Sequence, residues 1–558
     1  MRNFSSLLLF VVIFSTYNIN AQPTLLDDNL SIKKLTTSPS NSVRISFNQA
    51  DGNIYLVTQG GDLYEVNIET GNKTLVQTSS DLGIGDVQGM DISKDGVIYL
   101  VGNSKVNSLN TVTIKRGLKT EGVWNWETVA QTEPYPLSNT AFDHIMNNVT
   151  ISPDNQSLIL NSGSRTDHGE IHDVDGRFPG LREAALTAKI LKIPANSSNL
   201  ILEDDLEFLK TNGYIFAEGT RNSFSLAYDS EGNLFGTENA GDRDDPEELN
   251  WIREGHHYGF PWVIGGNDTP MQFSGYDPDS DPFIPPNSTA SNLGTFYDDP
   301  DYPAPPEGVS FTYGVVNNGP DADTFRDLED GIIKDASELG RSITTFSSHL
   351  SPLGLVFDTT NSMGGNFEND GFMLGFTGGN DGSFFLSRMN YGGEDLLHLE
   401  FTKVEDNFEI TTTRLIKDFL NPIDSEIIGN KIYVLEFKTS WLNNNKSTGI
   451  WEVTFPANTT NTENLSDVAS KYKLYQNYPN PFNPSTTISF DLFTSGFVEL
   501  EVSDALGRKV ATLVNREMNA HNNNSVSFDA SDLTSGIYFY TLRVDGAFVN
   551  TQKMMLIK

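Results

Sequence analysis

One imidazole, one guanidinium and a crowd of carboxylates are the side chains in this sequence whose types and spacing could do chemistry. His144 stands in D-H-I-M-N-N-V-T-I-S-P-D (143–154), immediately ahead of an alternating apolar run. An imidazole with an ordinary pKa serves as a general base near neutral pH; as a structural residue it would instead bond to loop backbone. Arg221 and Asn222 hold the same relative place in E-G-T-R-N-S-F-S-L-A-Y-D (218–229). A guanidinium there could hold a carboxylate or polarise a carbonyl oxygen. Directly afterwards, T-E-N-A-G-D-R-D-D-P-E-E-L-N-W-I (237–252) gathers Glu238, Asp242, Asp244, Asp245, Glu247 and Glu248 around Ala240 and Gly241, and G-H-H-Y-G-F-P-W (255–262) follows. Like charges at that density repel. Either the segment is a solvated acidic loop, or its carboxylates and the carbonyls of a glycine turn hold a hard cation such as Ca²⁺. The spacing allows both.

The elements that must position these groups repeat along the chain. An alternating apolar strand runs into a D/N-x-x-G-type turn and a second strand at 43–57, 90–101, 149–160, 226–237 and 425–435; residues 355–361 pair in the same way with 371–376. Six irregularly spaced hairpins with variable insertions predict an all-β fold, a six-bladed β-propeller with one inner hairpin per blade over residues 25–455. A Greek-key sandwich would space its strands more evenly over a shorter chain. In this register His144 and Arg221 enter inner strands and face one mouth of the central channel, with the acidic run leaving beside them. The insertion from Val263 to Thr345 carries D-P-D-S-D-P and D-D-P-D-Y-P-A-P-P. Its prolines predict an irregular excursion over the propeller, without helix or strand ladders.

Length and composition set the outer bounds. At 558 residues, with a formal charge of −37, the chain exceeds one ordinary core and lacks the basic surface that nucleic acid requires. It has no cysteine, which excludes disulfides and thiol chemistry. The N-terminus reads M-R-N-F, then an apolar run from Leu7 to Phe14, then N-I-N-A-Q, the pattern of a signal peptide cleaved after Ala21. That run is too short for a membrane span, and no other segment suits one.

Past Phe455 a polar stretch (456–471) reads as a linker, and from Tyr472 short alternating strands predict a small Ig-like β-sandwich over 472–558. Its N-Y-P-N-P-F-N-P, L-G-R and G-I-Y motifs closely resemble the C-terminal sorting domain of proteins exported by the type IX secretion system. The resemblance implies the type IX machinery as a partner, a Gram-negative envelope, and a secreted or cell-surface location.

In the first domain, the run from R-N-S-F-S-L-A-Y-D through the acidic segment to G-H-H-Y-G-F-P-W resembles the glucose/sorbosone dehydrogenase family, of which soluble quinoprotein glucose dehydrogenase is the type member. H-L-S-P-L-G-L-V-F-D (349–358) and N-P-I-D-S-E-I-I-G-N-K-I-Y-V (421–434) resemble the family's last blades. The resemblance implies a sugar (aldose) dehydrogenase using pyrroloquinoline quinone (PQQ) and Ca²⁺, with a small-molecule sugar as substrate. It implies His144 as the base on the sugar hydroxyl and Arg221 and Asn222 as quinone contacts. The carbonyls of Ala240 and Gly241 would face the cofactor's Ca²⁺, and Asp245, Glu248 and Tyr258 a structural one. The sequence departs from the family pattern at G-I-G-D-V-Q-G-M (83–90), where Gln88 is a displaced substitute for a cofactor-binding glutamine. It departs again at S-G-S-R-T-D-H-G-E (162–170), a rebuilt pocket wall, while Arg388 is the remaining candidate for a cofactor contact. A propeller that binds glycan or protein without catalysis, or a lactonase or other hydrolase built on His144 and Ca²⁺, is the alternative.

Overall fold

The computed structural model describes residues 22–378, 386–439, 447–458, 472–492, 495–504, 508–544 and 547–558. The leader with its cleavage point after Ala21, the linker residues 459–471, and Leu506–Gly507 of the L-G-R motif lie outside them. The chain divides into two compact units, one up to Ala457 and one from Asn458.

In the first unit each expected hairpin is the inner pair of a blade. The six innermost strands are Ser42–Asn48, Val87–Ile92, Met146–Ile151, Ser223–Tyr228, Pro352–Phe357 and Pro422–Ile428. Each packs on the next and the sixth packs on the first, so the ring closes. Local chemistry explains the hairpins: the inner strands bury both faces between neighbouring blades, and the turns use residues that tolerate left-handed backbone. Gly52, Gly96, Asn155, Gly232 and Gly429 take φ of 76, 85, 58, 86 and 57° there. The sixth blade is completed by the N-terminal strand Ser31–Thr37, which pairs antiparallel with Gly449–Thr454. Both ends of the propeller are thereby tied into one sheet, which leaves no open seam.

Side chains stitch blade to blade through inner-strand amides. Asp424 accepts from the Ile45 amide at 2.9 Å, Asp91 from the Ile151 amide at 2.8 Å, and Ser225 Oγ from the Gly354 amide at 2.8 Å. Arg44, 2% exposed, reaches across the channel. Its guanidinium donates to the carbonyls of Gln88, Asn147 and Phe224 and lies 3.6 Å from Asp424. One residue of the first blade thus binds the second, third, fourth and sixth.

The insertion corrects one expectation. Val316–Pro320 does form a ladder, parallel to Asn407–Lys417 and antiparallel to Ile343–Thr344, on the outer side of the fifth blade. Pro320 is tolerated because it ends the strand, where the ladder needs no further donor. The acidic, proline-rich part is irregular apart from short helical turns and the helix Thr289–Leu293.

The second unit contains a three-stranded sheet (472–474, 485–492, 521–529) and a four-stranded one (509–518, 496–504, 536–544, 547–556). Leu474, Ile488 and Phe490 from the first and Val498, Leu500, Tyr540 and Leu542 from the second share one core. No helix among the described residues is long and apolar enough to cross a membrane.

Candidate active site at the mouth of the propeller channel

All six inner strands enter the ring from the same end, so the residues just ahead of them collect at one mouth. The antiparallel hairpins bring the second strands back to it: Ser162 pairs with Met146, and Glu238 with Ser223. The segments 163–188 and 239–247 therefore both start there, beside His144 and Arg221.

His144 and Arg221 are linked through Ser164. The His144 amide donates to the Ser164 carbonyl at 2.9 Å, and the Ser164 amide donates to the Arg221 carbonyl at 2.6 Å. The His144 Nδ1 lies 3.3 Å from Ser164 Oγ, and that hydroxyl donates to the Thr166 carbonyl at 2.7 Å. The approach leaves no room for a side chain at position 163: a Cβ on Gly163 would lie 2.2 Å from the His144 carbonyl oxygen. Burial and the positive charge of Arg221 push the His144 pKa down to about 3, so the ring is neutral at physiological pH.

Arg221 does not present a free guanidinium. It is 5% exposed, and it donates through Nε to the Asp167 carbonyl (2.8 Å), through Nη1 to the Asn239 carbonyl (2.8 Å) and through Nη2 to Asp167 Oδ1 (2.9 Å). Asn222 is likewise engaged, accepting from Asn147 Nδ2 at 2.6 Å. Burial opposes the charge on Asp167, yet the hydrogen bond from His168 and the Arg221 charge hold its carboxyl well below the usual range. His168 donates to Asp167 Oδ2 (2.9 Å) and to the Thr295 carbonyl (3.2 Å), and it stacks on Phe296 with ring centres 3.8 Å apart. Tyr302 adds a hydrogen bond to the His168 carbonyl at 2.6 Å. The rebuilt wall at 162–170 is thus a buried strap, and it anchors the insertion over the mouth.

The acidic segment is not a solvated loop. Asp244, with no exposed surface, meets His349 (2.8 Å), Arg326 (2.6 Å) and Arg388 (2.8 Å). Asp245 pairs with Arg243 at 2.5 Å and accepts from Asn267 at 2.8 Å. Glu247 accepts from the Ala240 amide at 2.8 Å. Glu238 accepts from the Arg221 and Asn222 amides and from Ser223 Oγ, the last at 2.5 Å. Glu238 and Glu248 line a small cavity together with Ala240, Tyr258, Phe260 and Gly265. Burial pushes Glu238 up to about 7, and burial together with the Glu238 charge pushes Glu248 up to about 8.

Of the candidate metal ligands, the structure brings Ala240, Glu248 and Tyr258 to this cavity. It turns Asp245 toward Arg243, and it packs Gly241 against the Asp167 carboxyl, 3.1 Å from where a Cβ would stand. The Tyr258 hydroxyl is spent on the Trp251 carbonyl at 2.6 Å. Among the described residues no group of three or more His, Asp or Glu side chains surrounds a common ion position. Two desolvated carboxylates across a cavity nonetheless suit one cation, which would relieve their mutual repulsion.

Gln88 and Arg388, the remaining candidates, stand half-buried. Gln88 donates to Asp86 at 3.3 Å and Arg388 to Asp244 at 2.8 Å. The orphaned donors at this mouth include Asn239 Nδ2 and Arg388 Nε, buried with no acceptor among the described residues. Unsatisfied buried donors call for an acceptor-rich ligand, and the oxygen-rich, anionic PQQ fits such a donor set. Sequence reasoning missed Asp167, Asn239 and His349 as members of the site. The first lies in the flagged strap and the last in the quoted H-L-S-P-L-G run, but their pairings are long-range.

Residues 34–289 match the family model described as Glucose / Sorbosone dehydrogenase, and residues 476–558 match the Secretion system C-terminal sorting domain. An uncharacterized protein of Borreliella burgdorferi is 27% identical over 305 residues, which make up 53% of this chain and 69% of that protein. The PQQ-bound aldose sugar dehydrogenase of Streptomyces coelicolor is 15% identical with a TM-score of 0.42, covering 78% of this chain and 99% of that one. The apo-form soluble aldose sugar dehydrogenase of Escherichia coli is 14% identical with a TM-score of 0.46, covering 76% and 99%. The likeness is therefore to the glucose/sorbosone dehydrogenase family over residues 34–289 of the propeller, and to secretion-system sorting domains over residues 476–558.

Proposed function

We propose that the protein is an exported, PQQ-dependent sugar dehydrogenase whose reaction takes place at the channel mouth. The observation that carries this reading is a neutral, half-buried imidazole, His144, at the mouth where Asn239 Nδ2 and Arg388 Nε have no acceptor among the described residues. His144 takes the proton of the sugar hydroxyl as the adjacent C–H gives up its hydride. PQQ, when bound, supplies the two-electron acceptor. Asn239, Arg388 and Gln88 would hold its oxygens. Arg221 acts one layer deeper than the resemblance implies: it fixes Asn239 and Asp167, and its charge keeps His144 neutral. Glu238 and Glu248, with the carbonyl of Ala240, would hold Ca²⁺. The strap and the insertion exclude water from one side of the mouth. Export would use the N-terminal leader first and the type IX machinery second, the latter reading the sorting domain.

The test is reconstitution of the purified protein with PQQ and Ca²⁺, followed by dye reduction with a panel of aldoses. Stoichiometric quinone binding and sugar-dependent reduction are expected, with His144→Ala losing about 100-fold or more in kcat while still binding the quinone. A protein that neither binds the quinone nor reduces the dye overturns the reading, and a fully active His144→Ala variant overturns the assigned base.

A further inference from the structure

We infer that Ser164 is a positioning residue that fixes His144 in one tautomer, with the ring proton on Nδ1 and the Nε2 lone pair left for the substrate. The argument is a count of protons. A serine hydroxyl has one proton and can accept through its lone pairs. The Ser164 proton is committed to the Thr166 carbonyl at 2.7 Å, so at the 3.3 Å contact with His144 the oxygen accepts and Nδ1 must carry hydrogen. The opposite arrangement, Ser164 donating to Nδ1, would strip this hydrogen bond from the carbonyl of Thr166, a residue with no exposed surface. It would also move the ring proton to Nε2 and convert the base into a donor.

Ser164 cannot easily adjust. It is 1% exposed, its amide donates to Arg221 and its carbonyl accepts from His144, and Gly163 beside it permits the close approach. The charges bearing on the ring are Arg221 and Asp167, and neither makes a hydrogen bond to it. Tautomer choice therefore rests on neutral acceptors, the Ser164 hydroxyl foremost, with the backbone of Ser164 and Phe142 favouring the same ring proton. A carboxylate in its place would hold the same tautomer and also stabilise the imidazolium; the hydroxyl orients without that assistance.

The tautomer itself is independent of the proposed function; its catalytic consequence rests on that reading. The experiment uses the full chain with ¹⁵N-labelled histidine. Long-range ¹⁵N–¹H correlations on its eight histidines report which ring nitrogen is protonated, and a His144→Gln variant identifies the signals. A protonated Nδ1 with a bare Nε2 is expected at pH 7. A protonated Nε2, or an even mixture, overturns the inference without need of any further variant. In Ser164→Ala, folded as judged by circular dichroism, the preference for Nδ1–H should vanish; its persistence overturns the role of Ser164. In loaded enzyme the same variant should lose about 10- to 100-fold in kcat with KM nearly unchanged. Absence of dehydrogenase activity alongside the Nδ1–H tautomer would sink the proposed function and leave the tautomer assignment standing.

Discussion

Replacing Glu426 by glutamine should stabilise the propeller in alkali and do little in acid. Glu426 lies in the inner strand of the sixth blade and accepts from the Phe47 amide at 3.3 Å. Burial and the neighbouring Asp91 carboxylate push its pKa up to about 8, against an ordinary value near 4.5. A raised carboxyl keeps its proton in the folded state while the unfolded chain has already lost it. Between pH 4.5 and 8 the native state therefore holds more protons, and stability falls as pH rises. Over about 3.5 pH units at about 1.4 kcal/mol each, the full cost is about 5 kcal/mol by pH 8. Glu426 keeps part of its surface in contact with water, which screens the charge, so about 2–3 kcal/mol is the expected gain. Glutamine keeps an oxygen for the Phe47 amide and carries no charge at any pH. The assay is equilibrium unfolding in urea at pH 5 and pH 8.5, wild type against Glu426→Gln. The two should agree within about 1 kcal/mol at pH 5, and the variant should be the more stable at pH 8.5. Asp91 and Asp424, both pushed up to about 6 mainly by burial, contribute to the slope in both proteins, so the difference reads Glu426 together with its repulsion of these neighbours. Equal pH slopes in the two proteins, or a variant weaker at pH 8.5, would refute the reasoning.

Asp167→Asn leaves Arg221 without its buried anion and His168 with Glu170 alone, 3.5 Å away, and should cost about 3–5 kcal/mol. Because His168 also holds Thr295 and Phe296, faster hydrogen exchange across residues 262–303 should accompany the loss, and unchanged exchange there would contradict the strap. Gly163→Ala puts a methyl 2.2 Å from the His144 carbonyl and should lower stability by about 3 kcal/mol or more, read as a drop in Tm; a neutral effect would show that His144 and Ser164 are not held as described.

The inner hairpins were legible because two local signals agree in them. Alternation gives the strand, and a Gly or Asn turn gives its end, as in V-R-I-S-F-N-Q-A-D-G-N-I-Y-L-V. The same stretch hid its most connected residue. Arg44 occupies an ordinary polar position in the alternation, and only closure of the ring reveals that this position faces three carbonyls from three other blades. Val316–Pro320 was illegible for a related reason: V-N-N-G-P has no strand propensity, and its partner is Asn407–Lys417, about ninety residues away. At the site, His144 and Arg221 could be placed at one mouth by their register ahead of inner strands. The pairing of Arg221 with Asp167, fifty-four residues earlier in sequence, could not, because charge pairing across blades leaves no periodic trace.

The same limit explains why six carboxylates between Glu238 and Glu248 need not repel one another. Formal charge counts all six as ionised, and the structure does not leave them so. Asp244 is surrounded by Arg326, Arg388 and His349, and Asp245 is paired with Arg243. Asp242 is pushed upward by burial and by Asp167 while accepting from the Ala290 amide. Glu238 and Glu247, pushed by burial up to about 7, and Glu248, pushed up to about 8, hold protons for much of the time at neutral pH. Each carboxylate thus has a separate means of offsetting or losing its charge: a guanidinium, an amide, or a proton. A solvated loop needs none of these, so burial is the property that gives the segment its composition. Glu238 and Glu248 are the pair that share a cavity, and there a divalent ion could displace two protons at once. Cation binding at that cavity should accordingly release protons and strengthen with rising pH; in this segment, acidity serves to fasten the rim of the mouth, and Glu238 and Glu248 are the pair facing a cavity that an ion could enter.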